Sequence, residues 1–163
     1  MAADKTSTNP CCGQGNNRMA VSLGLLLLRL ALGWIFLFHG SQKLFGAFGG
    51  PGIEGFAGYL KDLPLLPPVV WAYMAALGEF VGGLCVLLGL LTRLGAIPLI
   101  VTMLVAIATV HGPHGFSREH MGYEYNIALI GMAAALVLTG PGLVSLDALL
   151  FRRGLFARGP QPI

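Results

Sequence analysis

Leu77-Gly-Glu-Phe-Val-Gly-Gly-Leu-Cys-Val-Leu-Leu-Gly-Leu-Leu-Thr-Arg93 decides how this chain folds. It lies in an apolar run that opens near Val69 and is long enough to cross a bilayer as a helix. One carboxylate, Glu79, sits well inside the run, on the order of 18 Å from Leu91 at about 1.5 Å of rise per residue. An ionisable group in hydrocarbon costs several kcal/mol, so Glu79 must face protein, water or an opposite charge. Gly82, Gly83 and Val86 share its helical face. Glycines beside a buried acid let a second helix approach closely enough for a polar side chain to reach the carboxylate.

Working outward, the 163 residues are 55% hydrophobic and 10% charged, with a mean hydropathy of +0.75. A soluble domain carries about a quarter charged residues. Four apolar stretches, Met19–Phe45, Pro68–Leu91, Leu94–Val110 and Tyr123–Thr139, each approach the length that spans about 30 Å of hydrocarbon. The expected fold is therefore all-α, an integral membrane four-helix transmembrane bundle. A tail over residues 1–18, a membrane domain over 19–151 and a basic tail over 152–163 account for the whole chain.

The pI near 9.0 does not point to nucleic acid, because the basic residues are spread among helix ends. Lys5, Arg18, Arg93, Arg152, Arg153 and Arg158 fall on one side of the expected topology. Lys43, Lys61 and Arg118, diluted by Glu54, Asp62 and Glu119, fall on the other. The positive-inside rule then puts both termini in the cytoplasm.

Residues 1–17 show no periodicity and read as a disordered tail, with Cys11 and Cys12 as spectators. No cleavable signal is expected. In the first span, Arg29, Phe36 and Lys43 recur every seven residues, with Gly33 and Gly40 close by and His39 at the edge. A face carrying Arg, His and Lys must turn toward the bundle. After Gly49-Gly-Pro-Gly52, Ile53, Phe56, Ala57 and Leu60 share one face of a short interfacial helix between spans 1 and 2, which either anchors the chain or roofs a cavity. Trp71 and Tyr73 are expected at interfacial depth. The second and third spans are joined by almost no loop and must form an antiparallel hairpin.

The segment His111-Gly-Pro-His-Gly-Phe-Ser-Arg-Glu-His-Met-Gly-Tyr-Glu-Tyr125 holds three of the four histidines. It has no HxxxH or HxH pair on a helix, so no metal site is expected, and it reads as a proton-exchanging loop. Glu124 is expected to point inward, toward His39 or His111, and Tyr123 and Tyr125 to mark the outer interface. The fourth span, rich in Gly and Ala, reads as a close-packing helix. Ser145-Leu-Asp147 opens a short amphipathic helix.

Counted from the cytoplasmic ends of their spans, Arg29 and Glu79 lie at similar depth, which predicts a buried ion pair. His39, Lys43, His111 and Glu124 lie higher, as candidates for a polar, proton-relaying pocket that opens outward above it.

Arg29, the His39-Gly-Ser-Gln-Lys43 segment, Glu79-x-x-Gly-Gly83, Leu91-Thr-Arg93 and Gly122-Tyr-Glu-Tyr125 together resemble the DoxX family of small prokaryotic four-helix membrane proteins, from about Leu23 to Leu150. The family is similar to the DoxD subunit of thiosulfate:quinone oxidoreductase. The resemblance implies residence in the prokaryotic plasma (inner) membrane and a subunit role in a quinone-linked redox system that handles sulfur or thiols. It also implies other membrane or redox proteins as partners, beside the lipid bilayer, and a homo-oligomer as one assembly. The sequence holds no CxxCH, flavin fingerprint or CxxC of its own. A quinone would need an apolar slot and a few donors, which His39 and Lys43 could supply. A non-catalytic scaffold and a small-solute or proton pathway are the alternatives.

Overall fold

The computed structural model describes residues 11–151, with side chains described over 17–150. The order of elements is α1 (Cys11–Phe45), α2 (Gly52–Leu60), α3 (Pro68–Leu88), α4 (Thr92–Ala106), α5 (Glu124–Thr139) and α6 (Leu146–Phe151). No strand occurs among the described residues. Three stretches are long and apolar enough to cross a membrane: Asn17–Phe45, Pro68–Leu88 and Thr92–His114. The 16 residues of α5 pack in the same bundle and reach about 24 Å.

α1 begins at Cys11, inside the segment expected to be a disordered tail. Once a long apolar helix has nucleated, each added residue costs little, so it propagates past the hydropathy boundary at Met19. Residues 1–10 and the basic tail over 152–163, with the membrane-side charges placed there, lie outside the described residues.

Glycines set the register between α1 and α3. A Cβ on Gly33 would lie 2.7 Å from the Leu87 nitrogen, one on Gly40 2.5 Å from the Phe80 nitrogen, and one on Gly83 2.7 Å from the Leu37 nitrogen. The two backbones are therefore in direct contact along an antiparallel seam. Gly82, on the neighbouring stripe, does the same against Gly95 and Leu99 of α4. α3 ends at Gly89, in the left-handed region at φ 71°, where a side chain would be strained. The tight hairpin expected between the second and third spans follows from this stop.

Leu32, Phe36, Val86, Ala96, Leu99, Leu129, Ala133 and Leu136 form the core where α1, α3, α4 and α5 meet. Ala57 and Leu60 of α2 bury against Ala72 of α3 in a second cluster at the other end of the bundle. Trp34, Leu77, Leu94, Val101 and Leu138 stay exposed, a surface suited to acyl chains.

Candidate functional site

The same register decides which charges meet, and it does not pair Arg29 with Glu79. Gly33 stands opposite Leu87, so Arg29 falls beside the last turn of α3, about three turns from Glu79. The guanidinium is 2% exposed and bonds only to carbonyls. Nε donates to Val86 (3.0 Å), Nη2 to Leu87 (3.2 Å), and Nη1 to Pro141 (2.9 Å) and Val144 (2.7 Å). Val86 and Leu87 belong to the last turn of α3, whose carbonyls have no i+4 amide within the helix and where the helix dipole also favours a cation. Arg29 thus stitches α3 to the 140–145 turn. Asp147 completes this end of the bundle by accepting from Leu91 N–H (2.8 Å) and Thr92 N–H (3.3 Å) at the start of α4.

Glu79 pairs instead with Lys43, one seam-length above, through Nζ–Oε1 at 2.5 Å. This is the sole ion pair among the described residues. Glu79 is 1% exposed and Lys43 24%, so the acid is buried while the ammonium keeps one side open. That open side faces a cavity of about 500 Å³. Lys43 also lies over the ring of Phe56, 5.0 Å from its centroid, which ties α2 to the pair.

The cavity runs between α1, α2, α3, α4 and the start of α5. His39, Lys43 and His111 line it, as does Glu79; Glu124 does not. Asn126, Leu129 and Ala133 form the inward face of α5, all nearly fully buried. Glu124 precedes Asn126 by two residues, about 200° around the helix, and so turns the other way. Tyr125 lines the cavity under the Arg118 guanidinium, 4.8 Å from its ring centroid. Trp71 also contributes to the wall.

Several lining residues carried no separate signal as site residues. Phe56, Tyr59 and Leu60 bring one face of α2 against the space, so the interfacial helix forms a wall of it. Asn126, an amide in the first turn of an apolar helix, went unread, although an unsatisfied amide does not sit in lipid. Its Nδ2 reaches Met103 Sδ at 3.4 Å. Thr102 and Thr109 spend their hydroxyls on their own helix, donating to the Pro98 and Val105 carbonyls at 2.8 Å each. The last turn of α4 widens to π geometry over Ile107–His111, a distortion often met at functional sites, and carries His111 to the rim. His114 and His120 stay on the exposed loop, and no cluster of three metal-ligating side chains occurs among the described residues.

The walls are mostly aliphatic and aromatic, with Lys43, Glu79, His39, His111 and Asn126 among the polar groups. Such a space can take an amphiphile with its head group at Lys43 and Glu79 and its tail along Leu60, Leu63 and Leu65.

Comparison with known proteins adds an independent line. A family model described as DoxX matches residues 24–112, from within α1 to Gly112. A Bacillus subtilis (strain 168) protein named "Putative oxidoreductase CatD" is 34% identical over 131 residues, covering 80% of this chain and 89% of its own. Escherichia coli (strain K12) inner membrane protein YphA is 27% identical over 76% of this chain and 87% of its own, and YqjF, another inner membrane protein of that strain, 28% over 80% and 95%. No solved structure matches. With its helices, apolar surface and sequence in agreement, this chain is a membrane protein of the DoxX family.

Proposed function

We propose that this protein is the membrane subunit of a quinone-linked redox system, with the cavity beside Lys43–Glu79 as the head-group site. The observation that carries the reading is a buried acid–base pair set in the wall of a mostly apolar space of about 500 Å³. Scaffolding alone gives no reason to hold Glu79 at 1% exposure beside an unfilled volume, because a buried pair contributes little net stability. The name of the Bacillus subtilis relative points in the same direction.

In this reading four helices span the inner membrane, with both termini in the cytoplasm. Arg29, Arg93 and Asp147 lie at the cytoplasmic end; His39, Lys43 and His111 lie toward the outer one. Lys43 donates to a head-group oxygen, and His111, at the rim, exchanges protons with outer water. Electrons pass to or from a partner protein that carries the redox centre, in a system that handles sulfur or thiol compounds.

Mass spectrometry of lipophilic molecules extracted from detergent-purified protein tests this. Wild type should carry an isoprenoid quinone, and Ala106→Phe, which fills the cavity from α4, should lose it. Phospholipid alone in both preparations would refute the assignment.

A further inference from the structure

Glu79 has two oxygens and only one is spoken for. Oε1 holds Lys43, whereas Oε2 is buried with no hydrogen-bond partner among the described residues. A buried acceptor left unmade is destabilising, and as half of an ion pair each carboxylate oxygen can only accept. Glu79 belongs to the cavity wall and is 1% exposed. A contact with Oε2 therefore has room for one small polar group, such as a hydroxyl, and not for the flat of a ring. Beside it, Lys43 Nζ has spent one N–H on Oε1 and presents the others to the same space.

An oxygen seated between these two atoms meets a donor and an acceptor at once. A hydroxyl satisfies both, accepting from Nζ and donating to Oε2. A carbonyl oxygen satisfies only Nζ and sets its own lone pairs against those of Oε2. One cavity histidine extends the pattern. Nδ1 of His111 lies 2.6 Å from the Met121 carbonyl, which can only accept, so the neutral ring carries its proton there and leaves Nε2 as an acceptor. His39 Nδ1 lies 3.2 Å from Gln42 Oε1, an amide that can present either an acceptor or a donor.

We propose that Glu79 Oε2, beside Lys43 Nζ, makes this cavity select a hydroxyl-bearing aromatic head group, a quinol or phenol, over the corresponding quinone. The proposal rests on the head-group reading of the cavity given above and adds a preference to it. Losing the donated bond and leaving the acceptor facing another lone pair should weaken quinone binding on the order of tenfold or more.

The test uses the full chain in detergent under argon, with equilibrium binding of three probes that share one tail: decylubiquinol, decylubiquinone and the dimethyl ether of decylubiquinol. The expected result is about tenfold tighter binding of the quinol than of either other probe. In Glu79→Gln, whose amide can donate, the quinol preference should fall below about threefold while the quinone still binds. Equal affinities in wild type, or a dimethyl ether that binds like the quinol, would overturn the selection and leave the head-group site standing. A preference that survives Glu79→Gln would also overturn it. Failure of all three probes to bind would remove both proposals. The wild-type comparison needs no variant, so it decides even if Glu79→Gln does not fold.

Discussion

Removing Lys43 should hurt this protein more than removing its partner, and the asymmetry follows from where the two ends of the pair sit. Glu79 is 1% exposed and Lys43 24%. In Lys43→Met the carboxylate stays buried and both of its oxygens are orphaned, since Oε2 already lacks a partner among the described residues. Breaking a fully buried pair this way costs about 3–5 kcal/mol. The open side of Lys43 lowers that to about 2–4 kcal/mol, because water in the cavity can approach the vacated place. In Glu79→Met the ammonium can turn toward the cavity, so about 1–2 kcal/mol is expected. The double variant replaces the pair by apolar groups and should lie close to Glu79→Met, giving a coupling of about 2–4 kcal/mol. At about 2–4 °C per kcal/mol for a chain of this size, Lys43→Met should melt about 4–16 °C below wild type. Thermal unfolding of the four detergent-purified proteins, followed by circular dichroism, measures this. Equal losses in the two single variants, adding within about 0.5 kcal/mol in the double, would refute the buried pair.

Other perturbations read the rest of the frame. Arg29→Met should cost more than about 3 kcal/mol, because four carbonyls, wholly or partly buried, lose a charged donor together; Arg29→Lys should recover less than half, since one ammonium cannot reach all four. Unfolding midpoints of the two variants check both. Gly83→Leu should part α1 from α3, where even a Cβ would lie 2.7 Å from the Leu37 nitrogen, and a disulfide engineered across the seam should then fail to form. Asp147→Ala should cost about 1–2 kcal/mol by uncapping α4 at Leu91 and Thr92, and hydrogen exchange should quicken at those two amides first.

The bundle was legible because hydropathy, glycine spacing and turn residues all speak about one helix at a time. What they do not give is the slide of one helix along another. Counting depth from Met19 placed Arg29 level with Glu79, although α1 starts at Cys11 and the seam is fixed by Gly33, Gly40 and Gly83. Two signals could have corrected the count. Gly89 marks the end of α3 by its C-cap position, and an arginine beside a helix C-terminus is well placed to take its free carbonyls. The remaining acceptors for Arg29, Pro141 and Val144, come from a turn with no periodic pattern, so no sequence argument reached them. His39, Lys43 and His111 could be singled out in the sequence because an ionisable side chain in an apolar span is costly against lipid. Glu124 was misjudged because it opens its helix, where a two-residue offset from Asn126 reverses the face.

Photolabelling in native membranes addresses the head-group site most directly. An azido-ubiquinone irradiated with the membrane-embedded protein should label peptides from α2 and the far half of α4, at residues such as Phe56, Tyr59 and Ala106. Excess decylubiquinol should suppress that label. Modification confined to outward-facing residues such as Trp34, Leu77 and Leu94, and unaffected by competitor, would contradict the account.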